Sequence, residues 1–276
     1  MLINCKGTLI DLSSPKVMGV INLNADSFYS KSRVLGTQPL LTKVSQMLEE
    51  GADFIDLGFM SSKPGSEISD PDEESLIICK AIETILDHFP ETLISIDTIH
   101  SSVAKSGLEG GAAIINDISA GSHDDQMWQI VKEFSAPYIM MHMRGNPQTM
   151  LSFTEYDDVV LDVLRNLATQ KKAAIEFGLK DVIIDPGFGF AKTIDQNFEL
   201  LNKLAAFQMI EAPILVGISR KSMIYKTLET SPEESLTGTI ALNFGALERG
   251  ANILRVHDVK EAKETITLFQ KLNEFN

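Results

Sequence analysis

Eight short apolar runs in this chain each end on a side chain that can hydrogen-bond or carry charge. In chain order the residues are Asn22, Asp56, Asp97, Asn116 with Asp117, His142, Asp185, Ser219-Arg220-Lys221, and Arg255 with His257. Any one of them could simply start a turn or cap a helix, as Asp and Asn often do. All of them sharing one position relative to an apolar run implies that they gather at one end of the molecule. Their types divide into two chemistries. Asp97, Asn116 and Asp185 offer acceptors and an amide suited to a flat heterocycle with several N–H donors and ring nitrogens. Lys221, Arg255 and His257 form a cation cluster suited to phosphate oxygens, with Arg supplying a rigid fork and Lys a mobile point charge.

The elements that must position these groups can be read from the same runs. A glycine, a β-branched strand and a polar residue recur at Gly51–Asp56, Gly111–Asp117, Gly178–Asp185 and Gly250–Arg255. Glycine suits the left-handed position just past a helix, and an unbroken apolar run reads as a strand covered on both faces. Further strands are expected at Val17–Ile21, Leu93–Ile96, Tyr138–Met141 and Ile214–Gly217. Helical patterns separate them at Leu40–Glu50, Glu73–Phe89, Ser102–Glu109, Asp124–Phe134, Asp157–Phe177, Asp195–Phe207, Glu233–Arg249 and Val259–Phe275. Asp70-Pro71-Asp72-Glu73-Glu74 and Ser231-Pro232-Glu233-Glu234 read as helix starts, with proline in the first turn and acids at the positive end of the dipole. Eight alternating strands and helices predict an α/β fold, a (β/α)₈ TIM barrel, with active groups at the C-terminal ends of its strands. An open doubly wound sheet shares that alternation and is the alternative. Residues Met1–Ser14, with Lys6-Gly7 between apolar runs, predict a β-hairpin covering one end of the barrel.

Composition narrows the function classes. The chain has 276 residues, and no low-complexity stretch or linker divides it, so a single domain over 1–276 is expected. The net charge of −14 disfavours nucleic acid and anionic membrane, and it makes any cluster of cations informative. No run approaches the ~18 apolar residues of a membrane span, and Met1–Lys16 lacks the core of a signal peptide. Two distant cysteines, Cys5 and Cys79, match neither a disulfide framework nor a metal-ligand spacing, so a cytoplasmic protein is expected. Gly187-Phe188-Gly189-Phe190-Ala191-Lys192 could pass for a phosphate loop, but a turn after Asp185-Pro186 is the favoured reading. His142 and the neighbouring Met140, Met141 and Met143 are expected in the barrel interior or pocket wall.

The residues at the strand ends stand inside longer phrases. Val17–Phe28, Ser95-Ile96-Asp97-Thr98, Ile115–Ser119, Met141–Gly145 with Pro147–Met150, Asp185–Phe190, Gly217–Ser222 and Arg255–Val259 together resemble the motifs of dihydropteroate synthases. The resemblance spans nearly the whole chain, in order. It implies a pterin-binding barrel, a transferase of folate biosynthesis in the class that sulfonamides target. Such an enzyme joins p-aminobenzoate to 6-hydroxymethyl-7,8-dihydropterin pyrophosphate. By that resemblance Asp97, Asn116, Asp185 and Lys221 hold the pterin, with Asp97, Asp185 and Lys221 the catalytic groups. Asn22 helps place Mg²⁺ on the pyrophosphate, and Arg255 and His257 bind its oxygens. Ser222, Phe28 and Ser62-Lys63-Pro64 shape the p-aminobenzoate site. A homodimer is also implied.

The chain departs from the family pattern at Asn24-Ala25, where Thr-Pro is expected, and at Phe59–Gly65, where Gly-Glu-Ser-Thr-Arg-Pro-Gly is expected. Ser62 keeps a hydroxyl and Lys63 a charge, but the bidentate fork of Arg is lost. Ala191 stands where glycine is usual. Two other readings remain: a methyltetrahydrofolate–corrinoid methyltransferase, which has no need of cations beside a pyrophosphate, and a non-catalytic pterin-binding protein.

Overall fold

Why each strand is short and buried on both sides is clear from its two-residue period, which sends alternate side chains to opposite faces. The computed structural model describes residues 1–23, 37–59 and 68–275. Its barrel strands are β3 (Lys16–Asn22), β4 (Phe54–Gly58), β5 (Ile94–Asp97), β6 (Ile114–Asp117), β7 (Tyr138–Met141), β8 (Val182–Asp185), β9 (Leu215–Val216) and β10 (Ile253–Val256). All are parallel, in the order β8-β7-β6-β5-β4-β3-β10-β9. A bridge from Ile184 to Ile214 joins the first and last of that order, so the sheet comes round on itself. That ring excludes the open doubly wound alternative.

Residues facing outward from the strands, such as Ile55, Ile96, Ile115, Tyr138, Ile184 and Leu254, belong to one large core shared with the surrounding helices. Those facing inward, including Met18, Phe54, Ile114, Ile139, Ile183, Leu215 and Ile253, form a second core inside the barrel. The antiparallel hairpin of β1 (Leu2–Cys5) and β2 (Thr8–Asp11) closes the N-terminal end, because Ile3, Cys5 and Leu12 belong to that inner core. Met140 faces the helices rather than the pocket, which corrects the sequence expectation for it, while Met141 lies in a small apolar cluster with Phe190 and Ala191.

The helices are α1 (Thr37–Glu49), α2 (Pro71–His88), α3 (Ser101–Glu109), α4 (Met127–Phe134), α5 (Val159–Phe177), α6 (Ile194–Asn202), α7 (Ser222–Tyr225), α8 (Leu236–Glu248) and α9 (Val259–Asn273). The Asp70 carboxylate caps α2 by accepting from the Asp72 and Glu73 amides, as its sequence predicts. Gly51, Gly111, Gly178 and Gly250 all adopt positive φ, the conformation that led to the strand assignments. Two expectations fail. Ser231-Pro232-Glu233-Glu234 forms a turn, with Thr230 donating to the Glu234 carboxylate, and α8 begins only at Leu236. The segment expected as one helix over Asp195–Phe207 breaks at Lys203 into α6 and a 3₁₀ stretch, Leu204–Ile210.

Candidate active site

The two-residue period explains which strand-end groups share a pocket. Phe54, Ile114, Ile183 and Ile253 face inward, so two residues further along each strand Asp56, Asn116, Asp185 and Arg255 face inward one layer higher. Asp97 joins them through its register position beside Asn116 and Gly58. The Arg255 guanidinium lies between two carboxylates: its Nη2 is 2.6 Å from both Asp56 Oδ2 and Asp97 Oδ2, and its Nε donates to Asp56 at 2.7 Å. The Asn116 amide also donates to Asp56, at 3.3 Å. The acids and the cation therefore meet, as the sequence required.

Each charge is tuned by its neighbours. Burial, with Asp56, Glu74 and Asp117 nearby, raises Asp97 to about 7 despite the pull of Arg255. Burial also raises Asp185, against the opposing effects of Lys221, the Gly187 amide, Arg255 and Lys192. Burial would lower Arg255, but Asp56, Asp97 and Asp185 more than reverse it and hold the guanidinium charged. Lys221 is lowered to about 8 by burial, with Asp185 and Asp97 opposing and Arg255 adding to the effect. Its ammonium donates to the Phe188 carbonyl and lies 4.7 Å from the centre of the Phe190 ring.

The last two loops are fastened together at the rim. Arg220 grips Asp258 with two hydrogen bonds of 2.9 and 2.6 Å, and Ser219 Oγ is 3.1 Å from His257 Nδ1. His257 has an exposed edge, yet it is lowered to about 4, by the protein packed around it and then by Arg255, Arg220 and Lys221, with Asp258 opposing. At neutral pH His257 is therefore uncharged, which reduces the cation cluster expected from sequence to Lys221 and Arg255. Ser222 follows Lys221 as the first residue of α7, and half-buried Asn22 ends β3. Phe28, Ser62, Lys63 and Pro64 lie outside the described residues, as do Asn24 and Ala25.

Some functional neighbours were not picked out by sequence. Asp56 was read as one strand-end residue among many, but here it shares Arg255 with Asp97. Lys192 lies buried under the turn after β8. Asp117, next to Asn116, faces the other way: it accepts from Tyr138 Oη at 2.6 Å and from the Ser119 and Gly121 amides, all outside the barrel lumen. Its partners are structural. The strand period could have separated it from Asn116.

A parallel barrel whose C-terminal mouth sets an arc of acids against a pair of cations defines an enzyme pocket suited to a polar ring and an anion together. The family model described as pterin binding enzyme matches residues 18–257. Dihydropteroate synthase of Escherichia coli K12 is 37% identical over 272 residues, covering 98% of this chain and 96% of that one. Among solved structures, the Yersinia pestis dihydropteroate synthase in a sulfonamide drug complex matches with a TM-score of 0.92 at 32% identity, over 100% of both chains. The Thermus thermophilus dihydropteroate synthase in complex with 4-aminobenzoate matches with a TM-score of 0.88 at 31% identity, over 99% of this chain and 100% of that one. The chain belongs to the pterin binding enzymes, in the dihydropteroate synthase family.

Proposed function

We propose that the protein is a dihydropteroate synthase, condensing p-aminobenzoate with 6-hydroxymethyl-7,8-dihydropterin pyrophosphate to give 7,8-dihydropteroate and pyrophosphate. The observation that carries this reading is the barrel mouth in which Asp56, Asp97, Asn116 and Asp185 line one arc and Arg255 and Lys221 the other. A pterin ring needs acceptors for its N–H groups and a donor for its carbonyl. Asp97, Asp185, Asn116 and Lys221 supply both.

Breaking the carbon–oxygen bond at the pterin methylene leaves positive charge spread into the ring, while the departing pyrophosphate takes the bonding pair. The aromatic amine then forms the new carbon–nitrogen bond and gives up a proton to solvent, so no general base is required. Asp97 and Asp185 oppose the growing ring charge. The charged Arg255 opposes the growing charge on pyrophosphate, and neutral His257 offers its oxygens a ring N–H. Groups fixed in advance for charges that appear only in the transition state lower the barrier rather than merely tighten binding. Ser222, with Phe28 and Ser62-Lys63-Pro64, completes the p-aminobenzoate side.

Among the described residues there is no group of three or more His, Cys, Asp or Glu side chains able to hold a metal. Asn22, at the end of β3, offers a hard carbonyl oxygen that would contact an Mg²⁺ arriving with the pyrophosphate. When bound, Mg²⁺ would neutralise leaving-group charge. No helix among the described residues is long and apolar enough to cross a membrane. A cytoplasmic homodimer belongs to the same reading. It is supported by two free cysteines and by the exposed Leu268 and Leu272 on α9. The decisive assay is pyrophosphate release from the purified protein, the pterin pyrophosphate and Mg²⁺. Release should depend on p-aminobenzoate, and no release would end the proposal, as would release indifferent to the amine.

A further inference from the structure

Lys192 is a buried lysine with no carboxylate within ion-pair distance among the described residues. Its ammonium instead donates to two backbone carbonyls of the turn after β8, Gly187 at 2.9 Å and Phe190 at 3.0 Å. It also lies 3.1 Å from His142 Nδ1 and 3.5 Å from the His142 carbonyl, at the end of β7. An ammonium only donates, so the ring nitrogen facing it must be the acceptor, and its three protons are matched by the three nearer acceptors, with the His142 carbonyl at the outer limit of a hydrogen bond.

The turn that Lys192 holds touches the pocket at three of its four residues and is fastened to α6 at the other. The Gly187 amide donates to Asp185 Oδ1 at 2.8 Å, and the Phe188 carbonyl accepts from Lys221. The Gly189 amide donates to Asn197 at 2.7 Å, and the Phe190 ring lies beneath the Lys221 ammonium. Gly187 comes so close to β7 that a Cβ there would stand 2.0 Å from the His142 carbonyl oxygen. The turn is thus pressed against β7 on one side and against the pterin-binding groups on the other, with one cation beneath it.

We propose that Lys192 is a positioning residue, whose ammonium fixes the 187–190 turn and thereby sets where Lys221 and Asp185 stand. The assignment rests on the dihydropteroate synthase reading of this same pocket. A packing role would need only the length of the side chain, whereas this role needs its positive charge. Burial lowers Lys192 to about 7, with Asp185 of β8 opposing and Lys221 of the β9–α7 loop and Arg144 of the β7 loop adding to the effect. His142 is lowered to about 3 by burial, then by Lys192 and Arg144, which keeps its ring neutral and its Nδ1 an acceptor. Tyr156 stacks on Arg144 at 3.8 Å and packs near the His142 ring on the same side. Above neutral pH the amine keeps two N–H groups for the Gly187 and Phe190 carbonyls and can accept from His142 only in its other tautomer, so the charge-assisted bonds weaken and the turn loosens.

The test is the ratio of wild-type to Lys192→Met kcat/KM for the pterin pyrophosphate, followed across pH. The titration of Asp97 occurs in both proteins and largely cancels in the ratio, while Lys221 and Asp185, which feel the Lys192 charge, are followed by their own side-chain signals in each protein and allowed for. We expect the ratio to be about 30-fold below neutral pH, the loss of charge-assisted bonds, and to fall to roughly 3-fold by pH 9. The KM for p-aminobenzoate should hold within about twofold, since that substrate meets other residues. A ratio that does not change with pH, or that stays near one, overturns the proposal. A second measurement needs no variant. In wild-type protein with ¹⁵N-labelled lysine and glycine, the Gly187 and Gly189 amide signals should titrate with the same midpoint as the Lys192 Nζ signal, and amides that ignore that titration refute the link. Because the titration needs no turnover, it stands or falls separately from the proposed reaction.

Discussion

Replacing Asp56 with Asn tests the charge layer most directly, because it removes one negative charge while keeping an oxygen for Arg255. Asp56 and Asp97 both place Oδ2 at 2.6 Å from Arg255 Nη2, so those oxygens lie within roughly 5 Å of each other. Two like charges at that distance repel by about 3 kcal/mol at an effective dielectric constant near 20, or about two pKa units. Asp97, now raised to about 7 in part by Asp56, should therefore titrate one to two units lower in Asp56→Asn. Only the carboxylate form can oppose positive charge on the pterin ring, so activity fails as pH falls through the pKa of Asp97. In the variant, the acidic limb of the kcat/KM profile should accordingly move down by about that much.

The same substitution weakens the hold on Arg255. Exchanging a charged hydrogen bond for a neutral one costs about 1–2 kcal/mol, so plateau kcat/KM should fall roughly 5- to 30-fold. Pyrophosphate release measured from pH 5 to 9, with the fold checked by circular dichroism, reads both effects. A folded variant whose acidic limb stays at the wild-type pH would show that Asp56 does not set the proton on Asp97. The stability sign follows from the same pKa. A carboxyl raised from its ordinary value binds its proton more readily in the folded protein, so this group's contribution to stability declines as pH rises toward 7. Asp56→Asn should flatten that decline.

Lys221→Ala removes a half-buried ammonium beside Asp185 and should lower kcat/KM for the pterin pyrophosphate about 100-fold; an unchanged value in the pyrophosphate assay would remove Lys221 from the site. Ala191 holds a left-handed φ of 48°, where glycine is at ease, so Ala191→Gly should stabilise by up to about 1 kcal/mol and raise the melting temperature by ~2 °C. Calorimetry showing a drop would mean that the Ala191 methyl packs better than its backbone suffers. Tyr138→Phe deprives Asp117 of one donor outside the pocket and should cost about 1–2 kcal/mol in urea unfolding without changing kcat/KM. A kinetic defect in that variant would show that Asp117 communicates with the site.

What could be read from sequence, and what could not, follows from the range of the interactions. Barrel strands carry a local pattern: an apolar residue facing the lumen, then two positions later a polar one, as in Phe54 and Asp56 or Ile253 and Arg255. Ile114 and Asn116 and Ile183 and Asp185 repeat it, so these four strands' share of the pocket was legible without any contact being known. The same rule, applied strictly, would have sent Asp117 to the outer face. Helix edges were less legible. The Ser231–Glu234 segment has the composition of a helix start, but its acid is taken by Thr230, and α7 is too short to show a period. Lys192 was the least legible of all. Its partners are backbone carbonyls and a histidine fifty positions away, and a carbonyl has no letter in the sequence. Groups that face substrate sit at fixed places on strands, whereas the group that fixes their angle can approach from any loop the packing allows. A pocket of this kind is therefore announced by its contacts and hidden in its supports, and variants chosen from strand ends alone would leave the turn beneath Lys221 untested.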